Sequence, residues 1–149
     1  MRKEDDILFL IRTLNKQLFL DFNKRSEELG ITAPQARILF FINENENVRQ
    51  VDIEKRFNLS KSTVSGFIKR MERNQVIKRV HKGSSINLIP DEKGLRIIDS
   101  LKKNRYLVIE RLLKGMDEKE RQDFVNKVKQ ALKNFEETEE ENTCGKTLS

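Results

Sequence analysis

Residues 50–66 read QVDIEKRFNLSKSTVSG and decide the fold, because they predict two short helices joined by a tight turn. The apolar residues of the first helix, Gln50–Phe57, give it one side to bury. Asn58 follows it, and asparagine tolerates the left-handed backbone conformation that a tight turn between helices needs. Ser60 is a favoured N-cap residue, so a second helix is expected to follow it and to run to about Asn74.

The second helix of this pair divides into an apolar side and a polar side. Its apolar residues recur at a spacing that places them on one buried face, and they are Val64, Phe67, Ile68 and Met71. The opposite face carries small hydroxyls, one glycine and cations. These residues are Ser62, Ser65, Gly66, Lys69 and Arg73, with Lys61, Thr63 and Arg70 at the edges.

The polar side of the second helix has the side chains that a DNA-reading helix needs. Small side chains let a helix approach the major groove closely, while hydroxyls and cations contact bases and phosphates. The N-terminal end of the helix, capped by Ser60, also favours a phosphate. An ordinary solvated helix is the alternative, but such helices usually mix glutamate with lysine, and here Glu72 at the margin is the one acid. The pattern therefore favours a helix that reads DNA.

Two short β-type runs follow the helix pair directly. They cover Val76–His81 and Ser85–Ile89 and are joined by the glycine-containing loop of residues 82–84. Amphipathic helices precede the pair, over about Glu4–Leu29 and after Thr32, and two more helices follow the hairpin. A helical bundle does not explain a lone hairpin in this place, whereas a winged helix-turn-helix does. The predicted fold class is mainly α, with six helices and a two-stranded β-hairpin wing.

The two helices after the hairpin are bounded by capping and breaking residues. Asp91 is expected to cap a helix over Glu92–Leu113, and Gly115 to break it before Asp117 caps the last helix. The helix over Glu92–Leu113 is expected to bury an apolar stripe formed by Leu95, Ile98, Leu101, Val108 and Leu112. The glutamate-rich tail from Glu136 is expected to fray.

The chain has 149 residues and a net charge of +6, and its positive charge is concentrated in the middle. Residues 49–85 hold ten lysines and arginines against three acids, so this segment has a net charge of +7. A basic middle between near-neutral flanks points to a polyanionic partner, although an ordinary solvated surface explains the charge equally well.

Other classes of protein find little support in the sequence. No run approaches the roughly 20 apolar residues of a membrane-spanning helix, and the first residues are too acidic for a secretory signal, so we expect a cytoplasmic protein without a membrane partner. His81 is the only histidine and Cys144 the only cysteine, so no metal site is expected. Phosphate-binding glycine loops and a nucleophile beside a histidine are also missing, so we expect no cofactor, no catalytic residue and no enzyme.

Residues 50–66 resemble the helix-turn-helix of MarR-type transcriptional regulators. The segment Leu59–Ser65, LSKSTVS, is similar to the L-S-x-S-T-V-S start of that family's recognition helix, and residues 91–94, DEKG, are similar to its x-x-K-G helix start. With the order of elements, the resemblance extends over nearly the whole chain. It implies a homodimeric winged-helix regulator of transcription that binds a pseudo-palindromic operator in double-stranded DNA.

The chain departs from the family pattern in three places. Glu54 stands where the family usually has alanine, and Arg49 stands where it usually has a serine or threonine cap. Residues 81–85 of the wing read HKGSS, without the Asp-x-Arg with which the family enters the minor groove. Lys82 is the wing residue that could contact a phosphate or the minor groove. Lysine lacks the planar guanidinium group with which arginine forms two parallel hydrogen bonds.

The resemblance also implies a division of the chain. Residues 1–30 and 114–149 are expected to form a helical dimerisation region, and residues 31–113 a DNA-binding region with its connecting long helix. The dimer interface is expected to include Leu14, Leu18, Phe124, Val128 and Leu132. Related proteins often bind a small apolar or anionic effector beside the dimer helices. The candidates to line such a crevice are Phe19, Phe22, Ile42 and Tyr106, although the same residues would also suit a core.

The predicted function is sequence-specific binding of double-stranded DNA, as a repressor that a small ligand releases. The alternative is a protein–protein adaptor or anti-activator on the same fold, whose basic patch only keeps it soluble. A helix face without carboxylates beside a basic hairpin favours DNA, because an adaptor does not need that pairing. The residues expected to contact DNA are Ser60, Lys61, Ser62, Thr63, Ser65, Gly66, Lys69, Arg70 and Arg73 of the helix and Lys78, Arg79 and Lys82 of the hairpin.

Overall fold

The computed structural model describes Arg2 and residues 5–144, with side chains up to Glu136. In that part of the chain it contains six α-helices and one two-stranded antiparallel sheet. The elements in chain order are α1 (Ile7–Glu28), α2 (Ala33–Glu44), α3 (Gln50–Phe57), α4 (Lys61–Arg73), β1 (Ile77–Lys82), β2 (Ser85–Pro90), α5 (Glu92–Leu112) and α6 (Glu118–Cys144). This order confirms the fold class that the sequence predicts, mainly α with a hairpin wing.

The turn between α3 and α4 has the predicted backbone conformation. Asn58 is left-handed, with φ 50° and ψ 50°, and the Leu59 N–H donates to the Glu54 carbonyl oxygen at 3.1 Å. Ser60 caps α4, since its hydroxyl accepts the backbone N–H of Thr63 at 3.2 Å. The two helices therefore meet through a turn that fixes the direction of α4.

A glycine ends α1 and a threonine begins α2. Gly30 has a φ of +79°, which glycine adopts without a steric penalty, and the Ile31 N–H reaches back to the Ser26 carbonyl oxygen at 3.1 Å. Thr32 and Gln35 then form a capping box, in which each side chain accepts the backbone N–H of the other residue.

Both terminal helices differ from their predicted bounds. α1 begins at Ile7, after a cap by the Asp6 carboxylate, and the predicted start, Glu4, lies outside the described residues. The backbone of α6 remains helical to Cys144, so the expectation that the chain frays from Glu136 is wrong up to that residue. Glutamate has a high helix propensity, which accounts for the continuation.

The hairpin turns within two residues rather than the three that the sequence suggests. Lys82 pairs with Ser85, so only Gly83, with a φ of +61°, and Ser84 lie between the strands. Beside the hairpin, the Leu88 N–H donates to the carbonyl oxygen of Val48 at 2.8 Å. The loop between α2 and α3 therefore borders the sheet at its β2 edge.

The core lies among α2, α3, α4, the hairpin and the first half of α5. The apolar face of α4 is where the sequence places it, because Val64, Ile68 and Met71 are buried and Phe67 is partly buried. Outside α4, the largest fully buried side chains are Ile38, Leu39, Ile42, Ile53, Ile77, Val76 and Ser26.

The rotation of α5 differs from the predicted stripe. A Cβ at Gly94 would lie 2.1 Å from the carbonyl oxygen of Val76, so the helix packs on that backbone through its glycine. This contact turns the next residue, Leu95, outward, with 51% of its surface exposed. Its assignment to the buried stripe is therefore wrong, whereas Ile98 and Leu101 are buried as predicted.

The contacts divide the chain into two compact units, Met1–Val108 and Ile109–Ser149. Within the first unit, the Asn104 amide donates to the Asp21 carboxylate at 3.0 Å and joins α5 to α1. Within the second, Arg121 of α6 forms an ion pair with Glu110 at 2.9 Å. No helix among the described residues has the length and apolar character needed to span a membrane.

Candidate nucleic-acid interface

The N-terminal end of α4 holds three hydroxyls in a small network. The Ser60 hydroxyl donates to Thr63 Oγ1 at 2.8 Å and lies 3.2 Å from Ser62 Oγ. All three residues are exposed. The network therefore orders these hydroxyls at the surface, where each oxygen can still accept or donate one bond outward.

The outward face of α4 has the composition that the sequence predicts. Ser62, Thr63, Lys69 and Arg73 are exposed, and Ser65 and Gly66 are half-buried between them. A Cβ at Gly66 would meet one atom only, Nη2 of Arg70 at 3.7 Å. Packing inside the protein therefore does not require a glycine at this position.

The cations of α4 differ in how they are engaged. The Arg70 guanidinium lies over the ring of Phe67, 5.4 Å from its centroid, so this side chain is held along the helix surface. Lys61, Lys69 and Arg73 have no ion-pair partner among the described residues. Their charges are therefore directed to solvent on the face opposite the core.

The cations of the hairpin are less free than the sequence suggests. Arg79 is engaged in an ion pair with Glu72 of α4, which neutralises the one acid at the margin of the helix face. The Lys82 ammonium donates to Asn47 Oδ1, 2.8 Å away in the loop after α2. Lys78 is exposed and has no such partner among the residues that the structure describes. The roles assigned to these three residues in DNA binding stay predictions.

The start of α3 is capped by a residue that the sequence analysis did not single out. The Asp52 carboxylate accepts the Arg49 backbone N–H at 2.8 Å, and the Arg49 guanidinium lies 3.4 Å from the same oxygen. The backbone hydrogen bond is the main reason why the pKa of Asp52 is lowered. An acid at the third position of a helix was the available signal, because such a residue commonly caps the N-terminus.

The residues predicted for the dimer interface lie on α1 and α6. On α1, Leu14 and Leu18 are exposed, together with Ile7, Leu8, Leu10 and Ile11. On α6, Val128 and Leu132 are exposed, while Phe124 is half-buried. Each helix thus presents an apolar surface, and the pairing of these surfaces stays a prediction.

The four residues predicted to line an effector crevice have different environments. Ile42 belongs to the core and is fully buried, and Phe22 packs against that core. Phe19 is half exposed, and the Arg37 guanidinium lies over the rings of both phenylalanines, at 5.8 Å and 5.6 Å. Tyr106 is 64% exposed. Ile42 therefore has a structural role, and the crevice stays a prediction.

The part of the chain that the structure describes contains no group of three or more histidine, cysteine, aspartate or glutamate residues placed to hold a metal ion.

Solved structures of similar fold cover most of the chain. MepR, a transcription regulator of the Staphylococcus aureus multidrug efflux pump MepA, has 18% identity and a TM-score of 0.77 over 87% of this chain and 98% of its own. The YusO protein of Bacillus subtilis has 19% identity and a TM-score of 0.75 over 87% and 94%. A MepR–DNA complex of S. aureus has 18% identity and a TM-score of 0.67 over 90% and 99%. At these identities the likeness concerns the fold.

Sequence comparison finds a family match for the central part of the chain. No curated protein sequence matches the chain. The model of the MarR family, however, matches residues 31–85, which contain α2, α3, α4, β1 and the turn of the hairpin. Residues 31–85, with the helix-turn-helix and the first strand of the wing, therefore match the MarR family, and the chain as a whole has the winged-helix fold of the solved structures above.

Proposed function

We propose that this protein binds double-stranded DNA in a sequence-specific manner and represses transcription as a homodimer. The observation that carries the proposal is the outward face of α4, which combines exposed hydroxyls with unpaired cations and has no free acid. Glu72, the acid at the edge of this face, forms an ion pair with Arg79 that neutralises its charge. A face of this kind complements phosphates and base edges in a major groove.

Gly66 adds a second argument for close approach to DNA. Glycine inside a helix costs about 0.5–1 kcal/mol relative to alanine. Among the described residues, the nearest atom to a Cβ at this position would be Nη2 of Arg70, 3.7 Å away, so a methyl group would fit. An external surface that must come near the helix backbone explains a glycine here, and the major groove is such a surface.

The homodimer is supported by the apolar surfaces of α1 and α6. Exposed residues on α1 include Ile7, Leu8 and Leu14, and those on α6 include Val128 and Leu132. A contiguous apolar stripe on a helix usually marks an interaction site. A second copy of the chain would cover these stripes, and would present two α4 helices to a pseudo-palindromic operator.

The proposal also includes repression of transcription and the relief of that repression by a small ligand. A dimer seated on a promoter would exclude polymerase, and a ligand that binds only the form unable to bind DNA would release it. MepR, which has the same fold, is described as a regulator of a multidrug efflux pump. Transcription in vitro from the bound promoter decides between repression and activation, because the protein lowers transcript yield in the first case and raises it in the second.

The direct test is a titration of DNA from upstream of the protein's own gene with the full-length chain. We expect tighter binding to that DNA than to a shuffled duplex of equal length. If about 6–10 phosphates are contacted, the affinity should fall about 10³–10⁵-fold between 50 and 200 mM salt. The triple substitution Lys61→Ala, Lys69→Ala, Arg73→Ala should abolish binding, whereas Lys93→Ala, Lys102→Ala, Lys103→Ala on α5 removes the same charge elsewhere and should retain most of it.

The contrasting function, a protein–protein adaptor, has a distinct outcome in the same experiment. An adaptor would bind both duplexes weakly and alike, with the two triple variants equally affected because only net charge matters. That result would overturn the proposal.

A further inference from the structure

A cavity of about 670 Å³ lies between the wing and the loop that follows α2. Its wall includes Phe41 from α2, Asn47 from the loop, Arg49 at the start of α3, and Lys82 and Asn87 from the hairpin. The volume falls within the range of small-molecule sites, about 300–1,000 Å³. The cavity is separate from the outward face of α4 and from the residues predicted for an effector crevice.

Asn87 is the buried polar residue of this wall, and its side chain lacks a partner among the described residues. Its side chain is only 4% exposed, and neither its amide nor its carbonyl oxygen forms a hydrogen bond with any described residue. Other polar groups of the wall are already engaged: Asn45 donates to the Phe41 carbonyl oxygen, Ser85 donates to that of Lys82, and Asp52 accepts from Arg49. The polar atoms of Asn87 are not sealed inside the core but border the cavity, so they are available to an occupant that can pair with them.

The carboxamide of Asn87 determines which chemical group of a ligand it can pair with. It presents a donor next to an acceptor, and it can turn to exchange the two. Its complement is therefore a group that also carries a donor beside an acceptor, such as the edge of a nucleobase. In DNA recognition the same side chain pairs with adenine through two hydrogen bonds.

The rest of the wall selects for a flat and uncharged molecule. The ring of Phe41 is fixed by its edge-to-face contact with Phe57, with centroids 5.8 Å apart and planes at 87°. A ring held in this way offers an apolar surface on which a heterocycle can stack. The charged residues of the wall balance, because Arg49 and Lys82 are matched by Glu46 and Asp52. A net charge on the ligand would therefore gain little.

We infer that this cavity binds a small uncharged heterocycle of the nucleobase or nucleoside class, with Asn87 pairing to its edge and Phe41 supporting its ring. The hydrogen bond from Lys82 to Asn47 lies in the same wall and joins the wing to the loop. An occupant that alters this bond would shift the wing. On the basis of the proposed function, occupancy would then change the affinity for DNA.

The test uses the full-length chain without DNA and two matched pairs of probes. Isothermal titration compares uridine with 3-methyluridine and adenosine with N6,N6-dimethyladenosine. Methylation removes the donor from the edge and leaves the ring in place. We expect at least one unmethylated nucleoside to bind, and its methylated partner to bind about tenfold more weakly or worse, as the loss of a buried hydrogen bond requires.

Two variants locate the site. Asn87→Leu keeps the size of the side chain but removes its polar edge, and it should weaken binding about tenfold or more. Asn126→Leu makes the same chemical change on the exposed surface of α6 and should bind like the wild type. If Asn87→Leu fails to fold by circular dichroism, the methylated probes still test the inference on the wild-type chain.

The inference is overturned if neither nucleoside binds at millimolar concentration, since water would then satisfy Asn87. It is equally overturned if methylated and unmethylated probes bind alike, or if folded Asn87→Leu binds like the wild type. Because no DNA is present, these failures are distinct from a failure of the proposed function, which only the DNA titration reveals.

Discussion

Gly66 is a residue at which stability and DNA binding are expected to change in opposite directions. Gly66→Ala should raise the free energy of unfolding by about 0.5–1 kcal/mol, because alanine is the better helix former and its Cβ meets only the end of Arg70, at 3.7 Å. The added methyl group should weaken operator binding by keeping α4 further from the groove. Urea denaturation and a DNA titration measure the two effects. Gly94→Ala is the control, since its Cβ would overlap the Val76 carbonyl oxygen and destabilise the fold.

Unchanged operator affinity in a stabilised Gly66→Ala variant would show that this part of α4 does not approach DNA. A merely destabilised variant would instead point to an internal packing role, contrary to the open space around the position.

Lys82 and Ser62 are expected to contribute to binding in different ways. Lys82→Ala should weaken binding to all sequences alike and lower the salt slope by about one, as the loss of one phosphate contact would. Ser62→Ala should cost about 1–3 kcal/mol on the operator and relax the preference at one base pair. Competition titrations with operator variants separate these effects. If Lys82→Ala abolished specific binding while Ser62→Ala and Lys69→Ala left it intact, the wing rather than α4 would be the reading element.

At the scale of elements, α3 is expected to show a pH-dependent contribution to stability through its cap. The Arg49 backbone N–H lowers the pKa of Asp52 in the folded state, so the ionised carboxylate favours folding. This contribution is complete above the unfolded pKa of about 3.9 and is lost as the pH falls through the folded value. Asp52→Asn should therefore reduce stability at neutral pH, by about 0.3–1 kcal/mol, and make little difference in strong acid.

Urea denaturation of both proteins from pH 7 to pH 2 measures this difference. Asp99→Asn on α5 is a suitable control, because Asp99 forms only an exposed ion pair with Lys103, which is expected to contribute little. A difference between wild type and Asp52→Asn that stays constant over the whole pH range would contradict the role of the ionised carboxylate as the cap.

The sequence predicts these elements well where the signal is local. The turn at Asn58, the caps at Thr32 and Ser60 and the buried face of α4 depend on residues only a few positions apart, and all are found. Contacts between distant segments lack such a signal. The Lys82–Asn47 hydrogen bond spans 35 residues, so the wing lysine appeared free in the sequence. Likewise, the exposure of Leu95 follows from how Gly94 packs on another element, which periodicity within α5 does not encode.

The candidate site shows the same difference between features with a local sequence signal and contacts between distant segments. The composition of the α4 face follows from helical periodicity, so its exposed and buried residues could be assigned in advance. The pairing of Arg79 with Glu72 depends on how the hairpin folds back on α4, and it changes both from free charges into a neutral pair. Asn87 gave no signal at all, because an alternating strand pattern places a residue on a face without revealing what covers that face.

The whole molecule is expected to function as a dimer held by its terminal helices. The wild type should sediment as a dimer at micromolar concentration, since Leu14 and Leu18 on α1 and Leu132 on α6 are exposed apolar residues. Leu132→Asp places a charge in the proposed interface and should shift the equilibrium to monomer. Gln130→Asp, at another exposed position of α6, is the matched control and should remain dimeric.

The proposed dimer also predicts the form of the operator. Two α4 helices related by a two-fold axis should contact half-sites roughly 34–36 Å apart, so a footprint of the wild type should cover an imperfect palindrome. A monomeric Leu132→Asp protein can contact only one half-site at a time and loses the gain from linked binding, about 10²–10⁴-fold. Footprinting and titration with single and paired half-sites measure this loss. A wild-type monomer in sedimentation, or a Leu132→Asp monomer that binds the paired site like the wild type, would mean that a single chain reads its DNA without a partner.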